Sequence, residues 1–522
     1  MNSTSLAFRF AFVCFAVFLF GSQSSLTQQS RWVHYDTQGK LVYAYTSKGD
    51  HIPDFSYAGY EGGGVALPYV PTERSVKSSG ADDTQAIQKA IDEVSVLPLV
   101  GGFRGAVQLA PGIFHCAHTL SITTSGVVLR GAREGAMGTT IMMTGSPHLA
   151  LRIAGRLQQT EMGANTYITD AYVHEGTQVI HVADAANLHL GDLLLIRKPV
   201  TKAWIGFMGM DNIFRNGRAE HWVSGPCLDT RRRIASVHGN TVTLDVPLMD
   251  DYDSRFFDRG HALVSKIELR GRISHVGVED LRFVAPKRRI ALGEPAFGGI
   301  VIRDLVNGWL RSVVLFDTTN GMSVNAGSAR ITFLKCSVVQ QVAVTSHAKP
   351  ADFACNGSQI LYDRCTGSGN STFYFVTQAG KQGPVVLLNC RFLGNGAIEP
   401  HQRWSTGLLI DNCKVPDGGI DLMNRGEMGS GHGWAIGWAV VWNSAAKTLG
   451  MNQPPGAYIW SIGDRGLQTD PPFPVFDGDL QRPQLPPATI DSPGKPVQPR
   501  SLYLAQLKER LGEAALKNIG YD

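Results

Sequence analysis

Four short stretches of the sequence decide the fold: ITFLKCSVV (331–339), ILYDRCTGS (360–368), VLLNCRFLG (386–394) and LLIDNCKVP (408–416). In each stretch a cysteine follows an apolar run, and the four cysteines lie 29, 25 and 23 residues apart. The repeat is rich in strand-forming residues and in Gly, Asn and Asp, and no helical pattern separates its copies. Such a period is typical of a parallel β-solenoid. We therefore predict an all-β fold built as a parallel β-helix.

The repeat extends to both sides of these four cysteines. Leu281 and Ser312 are predicted to occupy the cysteine position in earlier turns, and Ser444 in a later one, which gives seven turns. Equivalent residues on neighbouring turns stack about 4.8 Å apart, so we expect the cysteines to be reduced thiols packed in the interior. Three asparagines that precede this position predict a hydrogen-bonded ladder at a turn: Asn389, Asn412 and Asn443.

Upstream, SSGADDTQAIQKAIDEV (78–94) and GAVQLAPGIFHCAHTLSITTSGVVLRGA (105–132) resemble the opening of the pectate lyase superfamily, in an exported subset without an assigned activity. The resemblance implies a single-stranded, right-handed parallel β-helix with a short N-terminal capping helix. Asp82 or Asp83 is suited to cap that helix. The resemblance also implies cleavage of uronic acid polymers with an Arg or Lys base, often with calcium. We find no clear acidic cluster, so we predict no metal or other cofactor and leave calcium as an alternative.

Composition and chain order set the remaining boundaries. A basic residue, Arg9, followed by an apolar run from Phe10 to Phe20, is typical of a signal peptide. We expect a secreted or periplasmic protein without stable membrane insertion after cleavage, the alternative being an uncleaved anchor. A net charge of +4 is too small to indicate a nucleic acid partner. The predicted segments are 1–25 (signal peptide), 26–155 (capping helix and first turns), 156–265 (β-rich insertion), 266–465 (main coil) and 466–522 (Pro-rich tether and C-terminal helix).

The repeat phase also predicts a functional site, because side chains from distant positions converge only if they share a phase on neighbouring turns. Polar residues recur eleven to thirteen positions after the cysteines, and a shorter turn contributes a glutamine. These residues are His347, Lys349, Gln378, His401, Arg403, Asn424 and Arg425. The loop GEMGSGHGW (426–434) adds His432. The phase therefore predicts a cationic, hydrogen-bonding stripe on one side of the coil.

Such a stripe suits β-elimination from a uronic acid glycan, which needs a neutralised carboxylate, a base and a proton donor. We predict His401, Arg403, Arg425 and His432 as catalytic residues, since guanidinium groups bind carboxylates in a bidentate way and imidazole titrates near neutral pH. The remaining residues are predicted to bind substrate, with aromatic rings as flat faces for sugars: His347, Lys349, Gln378, Asn424, Trp404, Trp434 and Trp438. The expected partner is an acidic polysaccharide or oligosaccharide.

Two other functions stay open. A glycoside hydrolase needs two carboxylates that flank the scissile bond, and Glu399, Asp421 and Glu427 are candidates that form no obvious pair by phase. A noncatalytic carbohydrate-binding solenoid is the second alternative. The segment 201–222, rich in Trp and charged residues, is predicted either to fold over a groove or to be a structural excursion. We interpret the run Arg231–Arg233 as structural or surface residues.

Overall fold

The computed structural model describes residues 28–522, except for 133–137, 164, 216, 224, 258–259, 288–293, 343–349, 371 and 471–484. The predicted signal peptide lies outside the described residues, as do His347, Lys349 and residues 471–484 of the Pro-rich tether. No helix within the described part of the chain is long and apolar enough to cross a membrane.

The N-terminal segment leads into the coil through a small hairpin and the predicted capping helix. Its elements are β1 (Val33–Tyr35), β2 (Leu41–Tyr43), a 3-10 turn (Tyr60–Gly62), β3 (Thr72–Val76) and α1 (Thr84–Ser95). Helix α1 buries Ile87, Ile91 and Val94 against the first turn of the coil. Asp82 accepts the Thr84 amide at 3.0 Å. The helix thus closes the open end of the sheet, which would otherwise expose unpaired backbone groups.

The coil begins with two turns and is then interrupted by an insertion. The two turns contain β4 (Gly105–Leu109), β5 (Gly112–Cys116), β6 (Leu120–Ile122), β7 (Val127–Arg130), β8 (Thr139–Met143) and β9 (Leu149–Ala154). After β9 the chain leaves the coil, and it returns at β21 (Ile273–Ser274) and β22 (Gly277–Val284). Strand β22 pairs in parallel with β7 and β8, so the coil continues as if the insertion were absent.

The insertion is an antiparallel sheet in the order β10-β20-β14-β17-β18-β13, with β11 also paired to β20. Its elements are β10 (Gln158–Glu161), β11 (Thr166–Tyr167), β12 (Tyr172–Val173), β13 (Val179–His181), β14 (Leu193–Pro199), α2 (Lys202–Phe207), β15 (Phe214–Arg215), β16 (Arg218–Ala219), β17 (Cys227–His238), β18 (Thr241–Leu244), β19 (Tyr252–Asp253), a 3-10 turn (Ser254–Phe256) and β20 (Leu263–Arg270). The sheet has its own apolar core, which includes Ile180, Leu194 and Val242.

The main coil stacks parallel strands on three faces, and with the first turns it forms a 29-stranded sheet. Its further elements are β23 (Gly298–Arg303), β24 (Leu305–Phe316), β25 (Asn320–Val324), β26 (Ala329–Leu334), β27 (Ser337–Val339), β28 (Ala351–Cys355), β29 (Ser358–Asp363), β30 (Thr366–Ser368), β31 (Phe373–Thr377), β32 (Gln382–Leu388), β33 (Arg391–Leu393), β34 (Ala397–Ile398), β35 (Ser405–Asp411), β36 (Lys414–Leu422), the short helical turn α3 (Met428–Gly431), β37 (Ile436–Gly437), β38 (Ala439–Trp442), β39 (Ala445–Met451), β40 (Ile459–Ile462), β41 (Arg465–Thr469) and β42 (Thr489–Asp491). The predicted right-handed parallel β-helix is confirmed.

The predicted cysteine stack is also confirmed. Cys336, Cys365, Cys390 and Cys413 are buried, and the strands after them pair in register. Ser444 occupies the next step, as predicted, because Lys414 pairs with Ala445. The prediction for Ser312 was wrong by one residue: Leu281 pairs with Val313, so Val313 fills the interior position and Ser312 lies in the turn before it. Ser312 has a φ of 53°, the conformation that the asparagines adopt at the same turn.

The asparagine ladder is present in part. Asn389, Asn412 and Asn443 all have φ near 50°, which Asn tolerates better than most residues. Asn412 donates to the Asn389 side-chain oxygen at 2.5 Å. Asn443 instead donates to backbone oxygens of the C-terminal segment, including Val497 O at 2.9 Å. The ladder therefore joins the coil to the chain that covers it.

One outer face of the coil is covered by three segments that are distant in sequence. The N-terminal hairpin, the insertion and two C-terminal helices, α4 (Leu502–Leu511) and α5 (Glu513–Asn518), pack over β29, β32, β35, β38 and β40. Ser501 caps α4, accepting the Leu504 amide. The Asp411 carboxylate accepts both the Ser501 hydroxyl at 2.7 Å and the Tyr503 amide at 2.8 Å. The start of α4 is thereby held on the coil.

Candidate functional site

Five residues of the predicted stripe meet on one side of the coil, and we call them the histidine cluster: Gln378, His401, Arg403, Arg425 and His432. His401 follows β34 one turn after Gln378, and its amide donates to Thr377 O. Its Nδ1 lies 3.3 Å from Gln378 Oε1. The His401 and His432 rings meet edge to face, with centroids 4.7 Å apart. The repeat phase therefore brought together side chains from three consecutive turns and the loop after β36.

The electrostatics of the histidine cluster keep His401 neutral. Burial, followed by the positive charges of Arg425 and Arg403, lowers the His401 pKa to about 4. With Nδ1–H donated to Gln378, the Nε2 atom of the neutral ring is an acceptor. Arg403 is half-buried, and its Nη2 donates to Ser430 O at 2.6 Å and to Ser430 Oγ at 2.7 Å. Its Nε has no acceptor among the described residues.

Arg425 and Asn424 are engaged by the protein itself. Arg425 is buried, forms an ion pair with Glu399 at 3.1 Å and donates to His401 O at 2.9 Å. Its guanidinium also lies over the Phe373 ring. Asn424 is buried, and its side-chain oxygen accepts the Gly426 amide at 2.8 Å, which shapes the turn. Both residues hold the loop against the coil, and neither presents a free polar group to a ligand from solvent.

The three tryptophans predicted to stack on sugars lie in the core instead. Trp404, Trp434 and Trp438 are at most 2% exposed. Each indole N–H is used: Trp404 donates to Asp250, Trp434 to Met208 O, and Trp438 to Asp251. The segment 201–222 packs Trp204 and Trp222 against Trp404, and it contacts Trp434 through Met208 and Trp222. The Trp438 ring packs instead against Tyr458 and Trp460. That segment is therefore a packed cover over the coil.

A larger opening lies between the insertion and the coil, and we call it the cationic cleft. Its volume is about 580 Å³, within the range of small-molecule and oligosaccharide sites. One wall is formed by β14, β17 and β20 of the insertion, and the other by the turns that precede β26, β29 and β32. Seven cationic side chains line it: Arg231, Arg232, Arg233, Lys266, Arg272, Arg330 and Lys381. Four acidic side chains line it as well: Asp192, Asp229, Asp245 and Glu268.

Only part of this positive charge is neutralised within the protein. Lys266 pairs with Asp192 at 2.7 Å, and Arg330 with Asp245 at 3.4 Å. The other five cations form no ion pair with any carboxylate of the described residues; Arg231 and Arg233 donate to neutral oxygens of Gln159 and Gly191. The Arg272 Nε has no acceptor in the described chain. Uncompensated positive charge in a concave site favours an anionic ligand.

Lys381 stands out among the cleft cations. Burial lowers its pKa to about 8, and the nearby charges of Arg231 and Arg232 act in the same direction. Burial and the charge of Arg231 also lower the pKa of Arg272, to about 10. A lysine with a pKa near 8 is partly neutral at mild alkaline pH, so its amine is able to accept a proton. Perturbed groups gathered in a cleft are typical of functional sites.

The run Arg231–Arg233 forms part of the cleft. Arg231–Arg233 was interpreted as structural or surface residues, and Arg232 fits that reading, since it is buried and donates to Val246 O, Pro247 O and Gly383 O. Its two neighbours line the cleft. Lys381 and Arg272 follow no phase relation to the cysteines, because they face a wall supplied by the insertion.

The carboxylates proposed for the hydrolase alternative are distributed differently. Glu399 is held by Arg425, and Glu427 accepts the Phe214 amide from the covering segment at 3.3 Å. Asp421, the third candidate, lies in β36 and acts on the charge of Arg425 together with Glu399. Two carboxylates outside this set, Asp250 and Asp251, are bound by Lys198 at 2.9 Å and 3.0 Å. No group of three or more His, Cys, Asp or Glu side chains in the described ranges is arranged to hold a metal ion.

Comparisons with known proteins give distant structural similarity. No protein-family model and no curated protein matches the chain. The tailspike protein gp49 of Pseudomonas phage LKA1 is 14% identical, with a TM-score of 0.34 over 74% of this chain and 69% of its own. The gp54 tailspike of Acinetobacter baumannii bacteriophage AP22, solved with capsular saccharide, is 12% identical, with a TM-score of 0.26 over 78% of this chain and 71% of its own. PfbA, a surface adhesin of Streptococcus pneumoniae, is 10% identical, with a TM-score of 0.33 over 76% of this chain and 80% of its own. These values carry no argument about activity, and membership of the pectate lyase superfamily stays a prediction.

Proposed function

We propose that the protein binds an acidic polysaccharide in the cationic cleft and cleaves it by β-elimination. The observation that carries the proposal is the set of five cleft cations without a carboxylate partner in the described chain. A uronic acid carboxylate supplies the missing negative charge. Arg272, which forms no ion pair within the described chain, is the group proposed to receive it, since guanidinium groups bind carboxylates in a bidentate way.

The proposed chemistry uses Lys381 as the base. Its neutral amine removes the proton from C5 of the uronate, and the arginines stabilise the negative charge that develops on the carboxylate. The electron pair of the broken C5–H bond forms the C4–C5 double bond as the C4–O bond breaks. The departing oxygen takes a proton from water or from the Lys381 ammonium. The products are a new chain end and an unsaturated uronate, so atoms and electrons balance without a cofactor.

Hydrolysis fits the cleft less well. It requires one carboxylic acid and one free carboxylate on opposite sides of the scissile bond. In the cleft, Asp192 and Asp245 are engaged by Lys266 and Arg330, and Glu268 pairs with Arg270 at 2.9 Å. Asp229 is the one cleft carboxylate without an ion pair in the described chain, and a single carboxylate does not supply the pair that hydrolysis needs. The cations without carboxylate partners outnumber these acids, which supports elimination.

A panel of polyuronates and neutral glycans tests the proposal. We expect absorbance near about 235 nm to rise with polyuronates only, because elimination creates a conjugated double bond. New reducing ends without that absorbance would show hydrolysis. Retention on an immobilised polyuronate without cleavage would show that the protein binds the glycan but is not a lyase. If the protein neither cleaves nor retains any acidic glycan, the proposal is contradicted.

A further inference from the structure

The turn that carries Lys381 also carries a residue of the histidine cluster. Gln378 and Lys381 are the two ends of the short connection between β31 and β32, and the Lys381 amide donates to Gln378 O at 3.3 Å. The ends of such a turn lie within about 7 Å. The Lys381 side chain lines the cationic cleft, whereas the Gln378 side chain contacts His401. The cleft and the histidine cluster therefore lie on two sides of one turn.

Backbone contacts fix the two regions relative to each other. The Gly380 amide donates to Arg403 O at 2.9 Å, and the Arg403 amide donates to His432 O at 3.0 Å. The Thr406 amide donates to Lys381 O at 2.8 Å. Arg403 is thus tied to the Lys381 turn through the same ladder that builds the coil, so the spacing between the two regions is set by backbone hydrogen bonds.

The conformation of Arg403 turns its side chain toward solvent. Arg403 and Trp404 both have positive φ, 56° and 59°, a region that non-glycine residues seldom occupy. Trp404 points into the core and donates to Asp250, while Arg403 stays half-exposed beside Ser430. The conformation is held by this burial of Trp404. Strained backbone of this kind is concentrated at binding and catalytic positions.

The polar groups that remain at this position match an acidic sugar. Arg403 forms no ion pair with a carboxylate of the described residues, and only its Nη2 donates, to Ser430, so its Nη1 is left to bind an anion. His401, with Nδ1 engaged by Gln378, offers Nε2 as an acceptor for a sugar hydroxyl. Arg425 is already neutralised by Glu399 and serves to position His401 through its carbonyl oxygen.

We propose that Arg403 and His401 form a second subsite for an acidic sugar residue, so that one polyuronate chain crosses the Gln378–Lys381 turn and occupies both the cationic cleft and the histidine cluster. The inference rests on the proposed function and deepens it, because it makes the substrate a chain longer than the cleft alone accommodates. It also gives the histidine cluster a binding role, in place of the catalytic one that the sequence predicts.

The test compares short and long oligogalacturonates, with binding measured by calorimetry at about pH 6, where a lysine of pKa about 8 is protonated and elimination stalls. Arg403→Gln is expected to weaken binding of the long oligomer roughly tenfold and to leave the short oligomer unchanged, since one charge-assisted contact is lost. Arg391→Gln, at an exposed arginine of β33, is the matched control and should change neither.

The outcomes separate the two proposals. If Arg403→Gln weakens both oligomers equally or neither, while Arg272→Gln weakens both, the second subsite is refuted and the cleft stands. If the unmodified protein binds neither oligomer, the proposed function fails and the subsite falls with it. A loss confined to the long oligomer supports both. Circular dichroism of Arg403→Gln, unchanged from the parent protein, excludes loss of fold as the cause.

Discussion

The cationic cleft and the histidine cluster are both rich in positive charge, but they differ in whether their buried cations have carboxylate partners. In the histidine cluster the buried guanidinium of Arg425 is paired with Glu399, and the neighbouring imidazole is held neutral. In the cationic cleft Arg272 and Lys381 have no carboxylate partner in the described chain, and their pKa values are lowered. Burying unpaired cations costs stability. The difference teaches that charge left uncompensated, rather than charge density, marks the place for an anionic ligand.

The largest effect on turnover is expected from removing the amine of Lys381. Lys381→Gln is expected to lower turnover by about 10² to 10⁴, the usual contribution of a general base. Thermal unfolding should occur at the same or a higher temperature, because the variant no longer buries a charge. Lys335→Gln, at an exposed lysine of another turn, is the control. Turnover within a factor of two of the parent would show that Lys381 is not the base.

The opposite effect on stability is expected at Arg425 of the histidine cluster, whose charge is paired with Glu399. Arg425→Gln leaves Glu399 buried without its partner, so the free energy of unfolding should fall by roughly 3–5 kcal/mol in denaturant titrations. The double variant Arg425→Gln with Glu399→Gln should recover part of the loss, since it leaves no unpaired charge. An additive double variant would contradict the role of Arg425 as half of a buried ion pair.

A third test concerns the buried acids at the end of the insertion. Glu175 is fully buried, and neither of its oxygens has a partner among the described residues. Burial, and then the charge of Asp50, raises the Glu175 pKa well above its usual value. The folded protein therefore keeps a proton that the unfolded chain loses above about pH 4.3, so stability falls as pH rises, by up to about 1.4 kcal/mol per pH unit.

Glu175→Gln removes this ionisation and should flatten that decline. We expect the variant to unfold at a higher temperature than the parent at pH 8 and at nearly the same temperature at pH 4. The ionisable side chains of Asp50, Asp250, Asp251 and Lys198 belong to the same network, so part of the pH dependence should remain. An unchanged slope would mean that Glu175 is ionised in the folded protein.

The coil was predictable from sequence because its determinants are local. A cysteine every turn packs on its equivalent in the next turn, and register carries that relation along the chain. The one-residue error at Ser312 arose because two polar residues, Asn307 and Ser312, obscure the phase of a long strand. The histidine cluster followed from the same register, which explains why His401 and Gln378 meet.

The cover and the cleft were not predictable in the same way. Trp404 and Trp434 look like exposed sugar platforms until the segment 201–222 is placed over them, and nothing in their own turns specifies that contact. The cleft likewise needs two walls more than a hundred residues apart, with Arg231 on one and Lys381 on the other. Tertiary packing of an insertion, rather than strand periodicity, decides both.

The pH dependence of elimination tests whether Lys381 is the base. With a polyuronate substrate, kcat/KM followed by absorbance should rise with pH through about 8 and level off above it, because Lys381 must lose its proton before it acts. The pKa of His401 is about 4, so His401 acting as the base would leave the rate flat across this range. A rise in rate near pH 8 that disappears in Lys381→Gln supports Lys381 as the base. A profile without a rise between about pH 6 and 9 contradicts that role.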